Sequence, residues 1–357
     1  MSLTGRKLTG TIPDNHIGEN SGFIFTGLIV IFISLFFLDI LLGSVTISFT
    51  DIIKAFADNG ESEAGRIILK FRLPKAITAL TVGIALSLSG LQMQTLFRNP
   101  MAGPYVLGIS SGASLGVAFV ILGFSAQVSP DAITGLGNWT IIVASWIGAG
   151  LVMVLIMFIS SRVKDIMTVL ILGIMISSGI SAIVSIMQYF SSETLLKAYV
   201  IWTMGSLGNL TSSQLNILLI TVSAGLLLSL FSVKMLNVLL LGENYAGSLG
   251  LNVRSSRIMI FIGTSILAGS VTAFCGPVGF IGIAVPHIAR VIFRTSDHKI
   301  LIPGTILAGA SVMLMSDIIS QLPGSDRILP VNSVTALIGI PVVIWVILRN
   351  RKYSDLF

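Results

Sequence analysis

Ten stretches of mostly apolar residues alternate with short polar segments along this 357-residue chain. A helix needs about 20 apolar residues to cross the hydrocarbon core of a bilayer, and most of these stretches reach that length. The eighth and tenth are short, and Pro286 interrupts the eighth. The pattern predicts an all-α, polytopic membrane protein with about ten transmembrane helices. The ten runs are 23–42, 76–96, 105–123, 139–160, 166–190, 214–233, 256–275, 278–294, 300–320 and 333–348.

A polar, glycine-rich segment, residues 98–116, follows the second run and includes the first part of the third. It holds two prolines and four glycines, which disfavour a continuous helix. Irregular backbone at membrane depth is tolerated only where protein covers it or where it lines a watery path, because its N–H and C=O groups find no partners in lipid. The segment therefore indicates a protein that moves something through the membrane. Gly108, Gly112 and Gly116 recur every four residues, which is typical of ordinary close packing between helices.

Hydrophobic residues make up 54% of the chain and charged residues only 10%, whereas a soluble domain carries about 25% charged residues. This composition excludes a sizeable soluble domain, and nothing in the sequence indicates a nucleic-acid partner. The first 22 residues lack the adjoining basic and apolar regions of a cleavable signal peptide. We therefore predict a cytoplasmic tail over 1–22, a transmembrane domain over 23–348 and a second cytoplasmic tail over 349–357.

The basic residues are distributed unevenly between alternate loops. With both termini in the cytoplasm, most of the 21 lysines and arginines lie on the cytoplasmic side, as the positive-inside rule requires. Two interpretations are retained for the basic residues that run against the rule: the side chains of Arg72 and Lys75 reach the interface from a helix start, or the basic residues form a docking patch for an acidic external partner. These residues share one outer loop and are Lys54, Arg66, Lys70, Arg72 and Lys75.

The sequence shows no constellation of catalytic or metal-ligating residues. Its three histidines are scattered and its single cysteine is Cys275, so no cluster has metal-ligand spacing, and a hydrogen-bonded structural role is expected for His287. The glycine-rich phosphate loop of many ATPases is also absent. Asp39 and Asp317 lie toward the outer ends of their runs, where solvation is easier, and a structural role is expected for each.

Three short elements are predicted between the runs. Thr50 and Asp51 form a plausible N-cap for an interfacial helix, and Leu73-Pro74 marks the entry to the second span. Residues 191–213 mix apolar and polar positions, which indicates an amphipathic helix at the outer mouth. Residues 242–254 predict a short helix broken by glycine, either a docking element for a soluble partner or a plain connector.

A series of short strings occurs in order between about residue 47 and residue 348. As an ordered set they resemble the permease subunits of ABC importers for iron–siderophore complexes, haem and cobalamin, the FecCD family. The matching strings are Arg72-Leu-Pro-Lys75, Ser89-Gly90 with Gln94, Arg98-Asn-Pro-Met-Ala102, Leu107-Gly-Ile-Ser-Ser-Gly-Ala113, Gly242-Glu243 to Gly250, Gly279-Phe-Ile-Gly to Pro286-His-Ile-Ala-Arg290, Asp297-His298, and Leu329-Pro330 to Thr335-Ala-Leu-Ile-Gly-Ile-Pro341.

The resemblance implies a homodimeric type II importer permease fold and roles for four groups of residues. Docking to an external binding protein is implied for Arg72 and Lys75, and Arg327 is a candidate because some relatives carry a further arginine where this chain has Gln321. The implied cytoplasmic gate is Arg98, Asn99, Pro100 and Thr168. The implied ATPase-coupling residues are Gly242, Glu243, Ala246 and Gly250. The residues expected along the translocation path and outer gate are Ser177, Ser178, Ser181 and Met204.

The resemblance also implies partners and cargo. A second copy of the chain, two ATP-binding cassette subunits and an external binding protein would complete an importer in the bacterial cytoplasmic membrane. The chain itself is expected to bind no cofactor or metal, since ATP and magnesium would bind to the ATPase. The expected cargo is a bulky ferric chelate of the iron–siderophore type. A haem or cobalamin permease of the same family is one alternative. An ion-coupled secondary carrier is another, although such carriers normally keep acids at midplane, and a membrane enzyme lacks a candidate nucleophile.

Overall fold

The computed structural model describes residues 17–43, 47–57, 62–123, 137–163, 165–322 and 328–349. Within these ranges the chain is helical and has no β-strand. The first five helices are α1 (Ile17–Leu41), α2 (Phe49–Ala57), α3 (Glu63–Ile67), α4 (Leu73–Leu96) and α5 (Ile109–Ile121). The next five are α6 (Gly137–Arg162), α7 (Ile166–Tyr189), α8 (Glu193–Thr203), α9 (Ser212–Phe231) and α10 (Val233–Leu239). The last five are α11 (Glu243–Ser248), α12 (Val253–Cys275), α13 (Ile281–Phe293), α14 (His298–Ser320) and α15 (Val331–Arg349).

The long apolar helices coincide with the apolar runs of the sequence. Among the described residues, seven helical stretches are long and apolar enough to cross a membrane. One of them, Glu63–Leu96, comprises α3, a π-helical turn over Ile68–Arg72, and α4. Three shorter apolar helices are α5, α13 and most of α15. Each predicted run overlaps one of these ten stretches, so the prediction of an all-α, polytopic membrane protein is confirmed.

Helix α4 lies at the centre of the molecule, packed against α12, α13 and α14. Most of its residues between 76 and 96 are buried, because its many Ala, Gly, Ser and Thr side chains let neighbouring helix backbones approach closely. Its hydroxyl groups bond within the helix; that of Thr78, for example, donates to the carbonyl oxygen of Pro74 at 2.8 Å. The loop that follows α4 is therefore attached to the best-packed helix of the molecule.

Helices α5 and α6 pack closely along their glycines. A Cβ added to Gly112 would lie 2.5 Å from the carbonyl oxygen of Gly148, and one added to Gly116 would lie 2.0 Å from that of Ala144. The predicted glycine face therefore serves helix packing, as expected. Gly108 has a different role, because it takes φ +81° between a 3₁₀ turn and the start of α5, a conformation that favours glycine.

The interfacial helix α2 begins one residue before its predicted cap. Its first turn is closed by a reciprocal pair of bonds typical of a capping box. The Ser48 hydroxyl accepts from the Asp51 backbone N–H at 3.3 Å, and the Asp51 carboxylate accepts from the Ser48 N–H at 3.1 Å. The helix is confirmed, but its predicted N-cap at Thr50 and Asp51 is wrong, because Asp51 is the first-turn partner of Ser48.

Candidate functional site

Arg72 and Lys75, the predicted docking residues, lie where α4 begins, at what we call the Arg72 end of the molecule. The Nη1 atom of Arg72 donates to the carbonyl oxygens of Ile40 and Leu41 at 2.7 and 2.8 Å. These carbonyls lie at the end of α1, where no intrahelical donor remains for them and the helix dipole is negative. Arg72 therefore holds the end of α1 against the beginning of α4.

A buried acidic pair lies beside Lys75. The Lys75 Nζ atom forms a 3.0 Å ion pair with Oδ1 of Asp317, and Nε2 of Gln321 donates to Asp317 at 3.0 Å and to Asp39 at 3.1 Å. Asp39 is 3% exposed and Asp317 is 0% exposed. The expectation of easier solvation at these positions is wrong, because Gln321 contacts both carboxylates and Lys75 pairs with that of Asp317, so these side chains take the place of water. Their contacts agree with the structural role expected for them.

A cavity of about 840 Å³ borders the same residues. Arg72 and Lys75 line it together with Met204 and the aromatic side chains of Trp202 and Phe274. The basic pair thus has partners inside the molecule and also faces a space that another protein could enter, so the docking role stays a prediction. The third docking candidate, Arg327, lies outside the described residues.

The predicted gate loop begins where α4 ends, at the opposite end of the molecule, which we call the Glu243 end. Arg98 takes φ +46°, a left-handed conformation that turns the chain out of the helix. The Asn99 side chain accepts from the Met101 N–H at 2.9 Å, as in an Asx-turn. His287 Nε2 bonds to the carbonyl oxygen of Pro100 at 2.8 Å. The loop is fixed against α13, and His287 has the hydrogen-bonded structural position expected for it.

Thr168, the other gate candidate, lies in the first turn of α7. The Asp165 side chain caps this turn by accepting from the Thr168 hydroxyl at 2.7 Å and from the backbone N–H groups of Thr168 and Met167 at 2.9 and 3.2 Å. These bonds, the hydroxyl bond first, lower the pKa of the Asp165 carboxyl below its ordinary value. An ionised cap therefore defines the turn between α6 and α7.

The predicted coupling residues form a compact element next to the gate loop. Helix α11 starts at Glu243 and buries Ala246 completely. Gly242 takes φ +95°, and a Cβ at this position would lie 3.1 Å from Nη1 of Arg98. Gly250 follows the helix at φ +86°, so the helix predicted to include Gly250 ends before it. The start of α11 is thus in close contact with the gate loop.

Glu243 also forms an ion pair with Arg257 of α12, for which the sequence predicted no role. Arg257 Nε donates to Glu243 Oε1 at 2.6 Å, its Nη2 donates to Oε2, and its Nη1 donates to the carbonyl oxygen of Val163 at 3.3 Å. The residue is 5% exposed. A signal was present in the sequence, because Arg257 lies inside the predicted apolar run 256–275, and ionisable residues in such runs are often functional.

A second polar network, also without a predicted role, joins α4, α10 and α14 near the gate loop. The His298 ring bonds to Thr95 through Nε2 at 2.8 Å and to Asn237 through Nδ1 at 2.7 Å. Asn237 in turn donates to Asp297 at 2.7 Å. Helix α10, which precedes α11, is therefore linked to the end of α4 by side-chain hydrogen bonds. Asp297 and His298 both take part in this link, which gives each of them a structural role.

The four predicted path residues do not share one cavity. Met204 borders the cavity at the Arg72 end, whereas Ser181 lines a second cavity of about 270 Å³ between α5, α7 and α8. Ser178 is exposed on α7, and Ser177 is half-buried, with its hydroxyl close to Gly108. Helix α8 itself confirms the amphipathic helix predicted within 191–213.

The second cavity, which we call the hydroxyl cavity, is lined almost entirely by uncharged polar side chains. Its two aliphatic residues are Ile180 and Val184. Its polar residues are Ser110, Ser111, Ser114, Ser181, Ser185, Gln188, Tyr199 and Thr203. Such groups offer donors and acceptors for a neutral polar molecule. In the described part of the chain, no group of three or more His, Cys, Asp and Glu side chains could hold a metal ion.

These features define a class of protein: a membrane-spanning protein whose third span is broken and whose loop after α4 lies beside a short helix. The chain belongs to the FecCD transport family, whose model matches residues 29–349. It is an ABC importer permease of that family, and it is a multi-pass protein of the inner membrane.

Several relatives support this assignment. The hemin transport system permease protein HmuU of Yersinia pestis is 37% identical over 289 residues, which are 80% of this chain and 84% of the relative. The vitamin B12 import system permease protein BtuC of Klebsiella pneumoniae is 36% identical over 285 residues, 80% and 83% of the two chains. A solved structure described as an inward-facing metal-chelate type ABC transporter has a TM-score of 0.80 and 26% identity, and the match covers 92% of this chain and 99% of that one.

Proposed function

We propose that this chain is the membrane-spanning subunit of an importer driven by ATP hydrolysis on separate subunits. The observation that carries the proposal is the position of α11. Its start lies against the gate loop, where Gly242 approaches Arg98. It also reaches the turn that precedes the gate candidate Thr168, because Glu243 is linked through Arg257 to Val163. A soluble partner that moves α11 would therefore act on both gate segments at once.

The exposed surface of α11 suits such a partner. Tyr245 and Leu249 are each 58% exposed at this position, although both are large side chains with apolar surface. Exposed apolar side chains that lie together are typical of protein contact surfaces. We propose that this surface sits against an ATP-binding cassette subunit on the cytoplasmic side, with ATP and magnesium bound by that subunit. Both termini of the chain would then be cytoplasmic.

We propose that two copies of the chain form one pathway. Helix α7 carries a row of exposed apolar side chains along its length, which either lipid or a second copy must cover. The hydroxyl cavity lies next to this helix, so a copy packed at α7 would enclose polar surface between the two subunits. The exposed side chains of this row include Ile171, Met175, Ile183 and Ile186.

Transport would proceed by alternating access. Closure of the ATPase pair moves α11, the gate loop at Asn99 and the turn before Thr168 change position, and the Arg72 end opens or closes in the opposite sense. An external binding protein delivers cargo at the Arg72 end, where Arg72 and Lys75 line the larger cavity. The irregular backbone between α4 and α5 supplies a segment that can move without unwinding a long helix.

We propose a bulky polar metal chelate, of the ferric siderophore type, as the cargo. The hydroxyl cavity favours it, because uncharged hydroxyl and amide groups match the oxygen-rich exterior of such a chelate better than the apolar ring of haem. Its volume of about 270 Å³ accommodates one part of a chelate. HmuU and BtuC are named for hemin and vitamin B12, and either cargo is the alternative for this chain.

The test is uptake into liposomes that contain the permease with its ATPase and receive its binding protein from outside. We expect ATP-dependent uptake of a ferric hydroxamate chelate that exceeds the uptake of haem and cyanocobalamin, each offered at the same concentration. Binding-protein-stimulated ATP hydrolysis should accompany it. Preferred uptake of haem or cobalamin would replace the cargo proposal while leaving the importer proposal in place.

The same liposomes separate an importer from an ion-coupled carrier. Uptake through an importer persists when an ionophore collapses the proton and sodium gradients, and stops when internal ATP is omitted. Uptake that survives without ATP and fails with the ionophore would contradict the proposal and assign the chain to the carrier class.

A further inference from the structure

We propose that Arg257 is the positioning residue that carries the movement of α11 to the turn between α6 and α7. The inference rests on the proposed function, because it concerns the route from the ATPase-facing helix to the second gate segment. That route is distinct from the direct contact between Gly242 and Arg98, which reaches only the loop after α4.

The guanidinium group of Arg257 contacts Glu243 and Val163 through separate atoms. Nε and Nη2 donate to the two carboxylate oxygens of Glu243, and Nη1 donates to the carbonyl oxygen of Val163 at 3.3 Å. A planar guanidinium makes such contacts in fixed directions, which the single ammonium group of lysine cannot reproduce. A displacement of Glu243 therefore requires Arg257 to follow it, and the bond to Val163 stretches or moves with it.

The difference in burial between Glu243 and Arg257 gives this link a direction. The Glu243 side chain is 22% exposed at the start of α11, whereas the Arg257 side chain is 6% exposed. Glu243 is thus within reach of a docked partner. Arg257, which is more buried, passes a displacement of Glu243 to the interior. Leaving either charge buried without its partner is costly, so the pair should move together rather than separate.

The end of α6 and the start of α7 should move together. Val163 closes α6 by donating to the carbonyl oxygen of Ile159 at 2.9 Å, and two residues later Asp165 caps α7 through its bonds to Met167 and Thr168. The chain between the two helices is short, so a shift at the end of α6 is passed to the start of α7. The predicted gate residue Thr168 lies in that first turn.

The experiment measures the gate itself and needs no knowledge of the cargo. The permease and its ATPase are placed in lipid nanodiscs with a Met167→Cys label site; the native Cys275 is buried, and Met167 is 38% exposed. The rate of maleimide labelling is compared without nucleotide and with ATP plus vanadate. We expect the parent complex to change its rate by about fivefold or more between the two states.

Three variants then test the link. Arg257→Gln should reduce the nucleotide-dependent change to less than twofold. The exchange Glu243→Arg with Arg257→Glu can restore an ion pair, but a glutamate at position 257 cannot donate a hydrogen bond to Val163. The nucleotide-dependent change in labelling rate should therefore stay below twofold in this variant as well. Arg254→Gln, an exposed position on the same helix, is the control and should respond like the parent. Thermal unfolding of each complex checks that the variants are folded.

Each outcome decides between named alternatives. A full response in Arg257→Gln, or its recovery in the exchanged pair, contradicts the link through Val163; the second result would show that the ion pair alone matters. Where Arg257→Gln does not fold, the exchanged pair and Arg257→Lys, which keeps charge without the two-point contact, decide the question. A parent complex without any nucleotide response contradicts the proposed function itself, and the role of Arg257 with it.

Discussion

Lys75 shows how a side chain can serve the fold at a position predicted for docking. Its ammonium group lies 3.0 Å from Asp317, whose carboxylate is shared with the amide of Gln321, and a second buried acid, Asp39, completes the group. A buried carboxylate that loses its cation is strongly destabilising, whereas removal of both charges is much less so. The docking and structural roles of Lys75 can therefore be separated by mutation.

We expect Lys75→Met to destabilise the protein by about 2–3 kcal/mol, somewhat less than the loss of a fully buried pair, because one fifth of the lysine side chain is exposed. The double variant Lys75→Met with Asp317→Leu should recover most of this loss. Equilibrium unfolding in mixed detergent micelles measures both. Lys70→Met, at an exposed position, is the matched control, and equal effects at 70 and 75 would show that the ion pair contributes nothing.

A prediction about docking also belongs to this scale. Arg72→Glu combined with Lys75→Glu should weaken association with the binding protein at least tenfold and reduce its dependence on salt, because opposite charges across a contact steer association and are screened by ions. Surface plasmon resonance at low and high salt measures both effects. Unchanged affinity at low salt would remove the docking role, and Lys70→Glu controls for the general loss of positive charge.

The kind of role that a side chain has could be predicted in places, but its partner could not where the contact joins distant residues. A hydrogen-bonded role for His287 was predicted, and the ring bonds to the carbonyl of Pro100. No role is predicted for Arg257, because its partners Glu243 and Val163 belong to distant segments of the chain and only the folded chain brings them together.

At the scale of helices, the apolar runs give the positions of the spans, and the errors lie where backbone geometry is unusual. The second span was expected to begin after Leu73-Pro74, since proline usually opens a helix. The structure continues the helix back to Glu63 through the π-helical turn Ile68–Arg72. A π-turn changes the hydrogen-bonding register. Pro74, which has no backbone N–H to donate, can therefore follow this turn without ending the helix.

We expect Gly242→Ala to reduce transport while leaving the helices folded. Gly242 combines φ +95° with ψ 152°, a region where a residue with a Cβ is strained by about 1–3 kcal/mol, and the added Cβ would press on Arg98. The start of α11 should shift relative to the gate loop, so less cargo should enter for each ATP hydrolysed. The ratio of uptake to hydrolysis in liposomes measures this effect.

Gly247→Ala provides the control for that experiment. Gly247 lies within α11, and a Cβ there would contact nothing within 4 Å, so alanine should leave the ratio unchanged. A ratio that falls equally in both variants would indicate that any change in α11 disturbs the ATPase contact. In that case the close approach of Gly242 to Arg98 would have no special role in coupling.

The contact between α5 and α6 gives a prediction about stability. Gly116→Leu should destabilise the protein by about 3 kcal/mol or more, because overpacking at a backbone contact forces the helices apart; a Cβ at this site would lie 2.0 Å from the carbonyl oxygen of Ala144. Gly150→Leu, on α6 where a Cβ meets nothing within 4 Å, should have little effect. Thermal unfolding in detergent compares the two, and similar midpoints would contradict the importance of this packing.

For the whole molecule, sequence predicts the number and order of the apolar spans, but it does not show which functional segments meet. The gate loop after α4, the turn before α7 and α11 are far apart in the chain and meet at the Glu243 end. Met204 and Ser181 were expected on one path, yet they line different cavities. Such assembly depends on how the helices pack, and the apolar pattern contains little information about it beyond which faces are buried.

The orientation of the molecule in the membrane yields the last prediction. The distribution of basic residues predicts that the Glu243 end lies in the cytoplasm, and the proposed function requires this orientation, because ATP is available only there. We expect a cysteine at Lys197, exposed on α8, to react with a membrane-impermeant maleimide in intact cells stripped of their outer membrane. A cysteine at Ser248, exposed on α11, should react only after permeabilisation.

The buried Cys275 should leave the unmodified parent unlabelled in both conditions. Labelling of position 248 from outside would place α11 beyond the reach of any ATPase and would exclude the proposed mechanism, whatever the packing of the helices.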